Sequence, residues 1–284
     1  MRIFVVLLLT LALIPAALAQ PLEGRLRVMR DTATLKIAFR SDSQPFSYLD
    51  QARKPTGYSI ELCLAIARDI EKTMGYGKLA IEWVEVNSAT RFDVIAGGEA
   101  DLECGSTTVS LSRMARVDFS NLIFVDSTGV LVRGTGTESS FRDLGDRRIG
   151  VVAGSTNASA VRDQAERSRV AVTLIDFQDR DLGLAALERG EIFAFATDKF
   201  VLRAFNEMRR RGEYKLLSDD LSSEPFAIMM PPGDRALRLA VNSALARIFR
   251  SGEVVQLYTK YFGHFGSQQS AWLGALFIFG AIPD

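Results

Sequence analysis

The sequence predicts an α/β protein of two lobes, each a sheet flanked by helices, joined by two hinge strands. Strand-like and helix-like segments alternate along the chain, which is the pattern of a parallel sheet with helical crossovers. This unit occurs twice, and extended apolar segments separate the two copies and follow the second copy. Two such crossings predict that the first lobe is built from two separate parts of the chain.

The first copy of the unit contains three strands and two helices. Residues 35–39 alternate in polarity and are rich in β-forming side chains, whereas residues 58–72 carry apolar side chains at helical spacing. The remaining elements are a strand, a helix that a Gly-Gly pair ends, and a strand, at residues 81–86, 91–95 and 100–104.

The second copy has the same order of elements without obvious sequence identity to the first. Its strands and helices lie at residues 148–152, 158–167, 172–175, 182–188 and 192–196. The crossing segments are residues 117–126, 127–132 and 225–230. The expected boundaries are therefore 32–126 for the first part of lobe 1, 127–222 for lobe 2, and 223–284 for the return to lobe 1.

The C-terminal part of the chain is expected to pack on lobe 1. Residues 234–250 and 252–262 are typical of amphipathic helices. Residues 271–282 are apolar but fall short of the roughly 20 residues that a membrane-spanning helix needs. We expect this last segment to dock on the lobe surface, and a patch that binds a partner protein is the alternative.

The N-terminus has the three parts of a secretory signal peptide, predicted at residues 1–19. Arg2 supplies the positive start, residues 3–14 an apolar run, and Ala17-Leu18-Ala19 a small-x-small cleavage site. An uncleaved membrane anchor is the alternative, but the apolar run is short for one. The pattern therefore favours export.

The charge composition favours a small ligand over a nucleic acid as the binding partner. Lys+Arg and Asp+Glu both number 34, so no excess positive charge is available to neutralise a nucleic acid.

In an oxidising compartment Cys63 and Cys104 either form one disulfide or remain two buried free thiols. With two cysteines and the lone His264, we expect no metal site and no cofactor.

Polar side chains follow the third strand of the first copy, where a parallel sheet usually binds its ligand. Ser106-Thr107-Thr108 offers hydroxyls and backbone N–H groups at that strand end. Arg113 lies five residues further on and can bind a ligand carboxylate with both arms of its guanidinium. From spacing alone, a solvated surface arginine is the alternative.

The second copy offers two further candidates. Gly154-Ser155-Thr156 stands at the start of a predicted helix, where backbone N–H groups favour an anion. Asp198 follows the strand at 192–196 and is placed to meet an ammonium group, although a helix N-cap is the alternative.

Several ordered motifs resemble one protein family. The run GYSIELCLAIA at residues 57–67, preceded by PFSY at 45–48, resembles the signature of the polar amino-acid-binding proteins of bacterial ABC transporters, the family 3 solute-binding proteins. The run DLECGSTT at 101–108, followed by Arg113 and VDFS at 117–120, resembles the glutamate/aspartate-binding branch. This resemblance implies a type II periplasmic-binding-protein fold and a monomer in the periplasm.

The resemblance also implies roles for individual residues. In this family Arg113 would hold the ligand α-carboxylate with Ser106 and Thr108, and Asp198 would bind the α-ammonium. Residues matching Ser155 and Thr156 close on the ligand from the second lobe.

For the ligand side chain, the acidic-ligand branch implies Arg40, Ser88 and Arg91, with Arg180 in place of a histidine. Two features of the sequence are compatible with a neutral ligand instead. Asp42 can neutralise Arg40, and Thr90 replaces the asparagine usual before Arg91. Glutamate or aspartate is therefore expected, with glutamine or asparagine as the alternative.

The implied mechanism is closure of the lobes around the ligand and delivery to the membrane permease of an ABC transporter. No GxxxxGK[ST] phosphate loop occurs, so a separate ATPase subunit would supply the energy. We expect no enzymatic activity. A prephenate or arogenate dehydratase and a sensory ligand-binding module are the less favoured alternatives.

Overall fold

The computed structural model describes residues 23–75, 77–134, 136–209, 212–265 and 271–283. The signal peptide predicted at residues 1–19 lies outside these ranges. Two five-stranded sheets, each flanked by helices, form two lobes, which confirms the predicted fold class. The strands are β1 Thr34–Phe39, β2 Asp42–Ser43, β3 Ser47–Leu49, β4 Pro55–Thr56, β5 Ala80–Glu85, β6 Leu102–Glu103, β7 Asp118–Asp126, β8 Thr128–Arg133, β9 Arg147–Val152, β10 Val172–Phe177, β11 Ala194–Asp198, β12 Tyr214–Leu216 and β13 Glu224–Met230.

The helices lie mostly where apolar side chains recur at helical spacing, and they cover the two sheets. They are α1 Gly24–Thr32, α2 Tyr58–Thr73, α3 Arg91–Ala96, α4 Leu111–Met114, α5 Thr156–Ser168, α6 Arg180–Arg189, α7 Lys199–Glu207, α8 Arg235–Ser251, α9 Glu253–Phe262 and α10 Ala271–Gly280, with 3₁₀ turns at Phe141–Leu144 and Gly263–Phe265. Helix α1, which the sequence patterns did not predict, buries Leu26 and Met29 and packs against α8 and β1.

The first sheet has the strand order β5-β1-β6-β13-β7, and the second has the order β10-β9-β11-β8-β12. Strands β1, β5 and β6 are parallel, as are β9, β10 and β11. The chain passes from the first sheet to the second after β7 and returns just before β13, and these two strands pair with each other. Both crossings therefore leave from adjacent strands at one side of the first lobe.

An aromatic cluster packs in lobe 1 around β7 and β13, the two strands at which the chain crosses to and from lobe 2. Phe124 of β7 and Phe226 of β13 both contact the Phe46 ring, at centroid distances of 5.0 and 5.1 Å. Phe262 of α9 stacks on Phe124 at 4.8 Å. Aromatic pairs at such distances add to the stability that burial of the rings provides, so the crossings start from a well-packed core.

Cys63 of α2 and Cys104, which follows β6, form a disulfide within lobe 1. The two residues are 41 positions apart in sequence. By the chain-entropy model, closing a loop of this length contributes about 4 kcal/mol to stability. The bridge ties α2 to the strand end that carries Ser106 and Thr108.

Helix α10 docks on lobe 1, as the apolar sequence predicted. Leu273 and Phe277 are buried, and the Phe277 ring lies 5.3 Å from the ring of Phe249 in α8. The other face exposes Trp272 and Phe279. Within the described ranges, no helix combines the length and apolar character needed to cross a bilayer.

Candidate ligand-binding site between the lobes

The carboxyl ends of the parallel strands from both lobes face each other across a cleft. Arg40 directly follows β1, and residues 106–108 follow β6. On the other side, Ser155 follows β9 and Asp198 ends β11. In open α/β sheets this strand end is the usual place for a ligand, and the fold therefore brings the predicted site residues of both lobes together.

Four arginines are buried at the cleft. Their exposed fractions are 1% for Arg40, 4% for Arg91, 9% for Arg113 and 4% for Arg180. A buried guanidinium needs paired charges or hydrogen-bond acceptors. The partners of the four differ, and the difference divides them into two pairs.

Arg40 is neutralised within its own lobe. Its Nε and Nη2 donate to the two carboxylate oxygens of Asp42, at 2.8 and 2.6 Å, and its Nη1 donates to Ser88 Oγ at 2.7 Å. Burial alone would raise the pKa of Asp42, but the charges of Arg40 and Arg180 outweigh this effect and hold that pKa well below its usual range.

Arg180 begins α6 in lobe 2 and reaches into lobe 1. Its Nη2 lies 2.5 Å from Asp198 Oδ2 and donates to Ser106 Oγ at 3.2 Å. Its Nη1 donates to Ser43 Oγ, and its Nε donates to Thr197 Oγ1 at 2.9 Å. The side chain thus joins the two lobes through a short ion pair in its own lobe, a longer ion pair with Asp42 of lobe 1 at 3.8 Å, and hydroxyls of both lobes.

Arg91 and Arg113 make no ion pair with a carboxylate of the described residues. Arg91 Nη1 donates to Thr107 Oγ1 at 2.7 Å, and Thr107 in turn donates to Glu103 Oε2 at 2.7 Å. Arg91 Nε is buried without a hydrogen-bond partner. Arg113 Nη1 donates to the Thr108 carbonyl at 2.8 Å.

The same two arginines flank a single aromatic ring. The Cζ atoms of Arg91 and Arg113 lie 5.1 and 5.2 Å from the centroid of Phe92. Burial lowers the pKa of Arg91 to about 9, and burial also lowers the pKa of Arg113. Both side chains remain charged at neutral pH, so these are two buried cations without an ion pair to any carboxylate of the described residues.

A third group of contacts joins the lobes at the hinge. Thr156 of α5 donates to Glu224 Oε2 at 2.7 Å and to Thr108 Oγ1 at 3.3 Å. The Glu224 carboxylate, buried at the start of β13, also accepts from Thr108, Ser222 and Thr128. Hydroxyls from both lobes therefore meet on one carboxylate at the second crossing.

Asp198 faces the cleft and does not cap the helix that follows it. Its side chain makes no N-cap hydrogen bond to α7. Its Oδ1 accepts from Asn157 Nδ2 at 3.0 Å, and its Oδ2 accepts from Ser106 Oγ at 2.9 Å. The helix N-cap, one of the two alternatives that the sequence left open for Asp198, is thus not formed by its side chain.

The structure brings together nine of the ten predicted ligand-binding residues in this network. The exception is Ser155, whose hydroxyl accepts from the Ala158 N–H as the N-cap of α5 and donates to the Val152 carbonyl. The participants that were not predicted include Ser43, Asn157 and Glu224. Glu224 had one signal in the sequence, an acidic residue directly before the apolar run at 225–230.

The donor set does not resemble a metal site. Within the described part of the chain, no group of three or more His, Cys, Asp or Glu side chains is arranged to hold a metal ion.

Asp126, at the end of β7, is buried beside Asp198, and burial raises its pKa well above the usual range. Its oxygens accept from the backbone N–H groups of Ser127 and Phe200.

Comparison with known proteins gives consistent matches. The family model of the bacterial extracellular solute-binding proteins, family 3, matches residues 35–264. An L-glutamate/L-aspartate-binding protein of Pseudomonas aeruginosa is 31% identical over 264 residues, covering 90% of this chain and 87% of the relative. A glutamate/aspartate import solute-binding protein of Escherichia coli is 26% identical over 227 residues, covering 80% and 75%.

Among solved structures, an ancestral arginine-binding protein bound to glutamine superposes with a TM-score of 0.73 at 25% identity. The match covers 81% of this chain and 98% of that protein. The two-lobed architecture described above is thus similar to that of a protein with an amino acid bound.

Proposed function

The chain belongs to the bacterial extracellular solute-binding proteins, family 3, and from this premise we propose that it captures an acidic amino acid between its lobes. The names of the relatives from Pseudomonas aeruginosa and Escherichia coli support glutamate or aspartate as the ligand. The matches span most of both chains, so the proposal concerns the whole protein rather than one lobe.

The single observation that carries this proposal is the pair formed by Arg91 and Arg113. Both guanidiniums are buried beside Phe92 and lack a carboxylate partner among the described side chains. A ligand with two carboxylates would neutralise both. A ligand with one carboxylate would leave one buried cation unpaired, at a cost of roughly 2 to 5 kcal/mol.

The roles proposed for the site follow from these positions. Arg113 would hold the α-carboxylate, assisted by the hydroxyls of Thr108 and Thr156. Asp198 and Ser106 would receive the α-ammonium. The distal carboxylate would bind Arg91, and the remaining polar side chains on that side of the pocket would be those of Arg40, Ser88 and Arg180. Ser155 would contribute only as the N-cap that begins α5.

One observation favours a second candidate, a neutral polar amino acid such as glutamine. Arg40 is already paired with Asp42, so it adds little net charge to the pocket. If Arg91 then hydrogen-bonded only to an uncharged amide, glutamine or asparagine would fit. Selectivity therefore depends on Arg91 more than on Arg40.

The transport role is also a proposal. Contacts across the cleft, including the bond from Ser106 to Asp198 and the bond from Thr156 to Thr108, are those that closure would create. We infer that the protein is a monomeric, periplasmic carrier that presents its closed form to a membrane permease. Turnover of prephenate or arogenate by the purified protein would instead identify a dehydratase.

Isothermal titration calorimetry on the mature chain tests the proposal. The protein is first unfolded and refolded to remove any bound ligand, then titrated with glutamate, aspartate, glutamine and asparagine. We expect one-to-one binding, tightest for glutamate or aspartate by at least tenfold, and recovery of the ligand unchanged. Equal or tighter binding of the amides would overturn the acidic assignment, and conversion of the ligand would overturn the carrier role.

A further inference from the structure

The Arg180 guanidinium contacts the same groups that the proposed function assigns to the ligand ammonium. Its Nη2 lies 2.5 Å from Asp198 Oδ2 and 3.2 Å from Ser106 Oγ. A guanidinium and an ammonium offer the same chemistry to a carboxylate, a positive charge with N–H donors. The protein therefore supplies this cation from its own chain.

Five partners hold the Arg180 side chain in this position, and one of them is Asp42 of lobe 1, whose Oδ1 lies 3.8 Å from Arg180 Nη1. Besides Asp198 and Ser106, its Nη1 donates to Ser43 Oγ of β2, and its Nε donates to Thr197 Oγ1 of β11. The side chain is only 4% exposed. An ammonium that bound Asp198 would have to break this short ion pair and leave Arg180 with hydroxyls and the longer contact to Asp42, a carboxylate already ion-paired with Arg40. Weakening the compensation of a buried charge in this way is costly.

Asp198 itself has little capacity left for another donor. Its Oδ1 accepts from Asn157 Nδ2, and its Oδ2 accepts from both Ser106 and Arg180. An ionised carboxylate has about four acceptor sites, and three of them are used here.

Three other buried carboxylates at the cleft, those of Asp42, Glu224 and Glu103, do not offer an equivalent place. Asp42 is ion-paired with Arg40, and the Glu224 carboxylate accepts four hydroxyl hydrogen bonds. Glu103 Oε1 is buried without a hydrogen-bond partner, but it lies against Gly105. The other oxygen, Glu103 Oε2, accepts a hydrogen bond from the Thr107 hydroxyl.

We propose that Arg180 determines specificity by taking the place of the ligand ammonium, so that the cleft also binds dicarboxylates of glutamate size that lack an amino group. This inference rests on the proposed function, since it uses Arg91 and Arg113 as partners for two ligand carboxylates. A dicarboxylate satisfies both arginines and leaves the Arg180–Asp198 ion pair intact. The ligand class is then C4 and C5 dicarboxylates, with or without an α-ammonium.

Matched ligand pairs test the proposal. Glutamate and glutarate differ only in the amino group, as do aspartate and succinate. By calorimetry on the refolded mature protein, we expect glutarate to bind within tenfold of glutamate. In Arg180→Gln, Asp198 loses its cation and can bind the glutamate ammonium. The dissociation constant of glutarate divided by that of glutamate should therefore rise by at least a hundredfold.

Arg189→Gln is the matched control, because Arg189 lies at the other end of the same helix, half-exposed and paired with Glu191. Its ratio of glutamate to glutarate affinity should equal that of the wild type. Arg180→Lys keeps the charge and should retain glutarate binding, which covers the case in which Arg180→Gln folds poorly. Using a ratio within one variant removes any general loss of folded protein from the result.

The outcomes separate this inference from the proposed function. Binding of glutamate without glutarate by the wild type would overturn the inference and leave the proposed function standing. An Arg180→Gln variant that weakens both ligands equally would also overturn it. If the wild type binds neither ligand of either pair, the proposed function falls and this inference falls with it.

Discussion

Two pairs of arginines lie at the cleft with nearly the same burial and opposite surroundings. Arg40 and Arg180 are ion-paired with Asp42 and Asp198. Arg91 and Arg113 have hydroxyl or carbonyl acceptors but no ion pair with a described carboxylate. Burial alone therefore does not distinguish the arginines proposed to bind the ligand, whereas the charge balance around them does.

The difference separates stability from binding. A buried ion pair is costly to break from one side, because the remaining charge is left uncompensated. A buried cation without a counter-ion has already lost its hydration, and a ligand carboxylate can restore the balance. We therefore expect changes near the first pair to affect folding and changes in the second pair to affect affinity.

The largest expected effect is on stability, from Asp42→Asn. The change leaves Arg40 buried without its counter-ion, and it weakens the acceptor of the Arg180 backbone N–H. We expect the free energy of unfolding to fall by about 3 to 5 kcal/mol, measured by urea denaturation at pH 7. Asp93→Asn is the control, because Asp93 forms an exposed ion pair with Arg116, and its effect should stay below about 1 kcal/mol.

The same variant has a defined pH dependence. The folded-state pKa of Asp42 is lowered from 3.8, so its contribution to stability is fully present above that value. As the pH falls from about 4 toward the lower folded-state pKa, the Asp42 carboxylate takes up a proton in the unfolded chain but not in the folded protein, and this contribution is progressively lost. The stability difference between wild type and Asp42→Asn should therefore shrink between pH 5 and about pH 2, and a constant difference would contradict it.

Arg113→Ala should give the largest loss of affinity. Removing a buried, charge-assisted contact to a carboxylate costs roughly 2 to 5 kcal/mol, which is about 30-fold to several thousand-fold in the dissociation constant. Arg116→Ala is a close control, since Arg116 lies over the same Phe92 ring but is half-exposed. Calorimetry with glutamate should show the loss in the first variant alone. Undiminished affinity in Arg113→Ala would remove this arginine from the site.

The sequence predicted the regular part of the fold well, because burial leaves a periodic pattern in strands and helices. Helix α2 was expected at 58–72 and spans Tyr58–Thr73. Elements without enough residues for a period were missed, such as β2 to β4, which have two or three residues each. Helix α1 was missed because only Leu26 and Met29 are buried along it.

The candidate site was predictable as a set of positions, but of its pairs only Arg40 with Asp42, two residues apart, was foreseen. Strand ends identified Ser106 and Asp198 and offered Arg113, with a surface arginine as the alternative, and the resemblance supplied Arg40, Arg91 and Arg180. Which arginine meets which carboxylate depends on contacts between distant segments, such as the one from Arg180 to Ser43, 137 residues away in sequence. No local pattern encodes such contacts, and for the same reason the hydroxyl contacts of Glu224 were not foreseen.

Arg91→Gln should change selectivity more than overall affinity for amides. The variant keeps hydrogen-bonding groups but loses the charge that would face a distal carboxylate. We expect the preference for glutamate over glutamine to fall by about tenfold or more, or roughly 1.4 kcal/mol. Calorimetry with both ligands gives the ratio directly. An unchanged ratio would assign the distal carboxylate to the paired arginines and would remove the distinction between the two pairs.

The smallest effect is expected from Ser88→Ala, which tests whether a paired arginine still serves the ligand. Ser88 Oγ accepts from Arg40 Nη1 at 2.7 Å and so helps to orient that guanidinium as a positioning residue. Loss of one hydrogen bond to a charged group should weaken glutamate binding by about 1 kcal/mol, or about fivefold. Ser88→Thr keeps the hydroxyl and should retain wild-type affinity. Equal losses in both variants would mean that Ser88 acts through packing, and that Arg40 belongs with Asp42 to the fold rather than to the pocket.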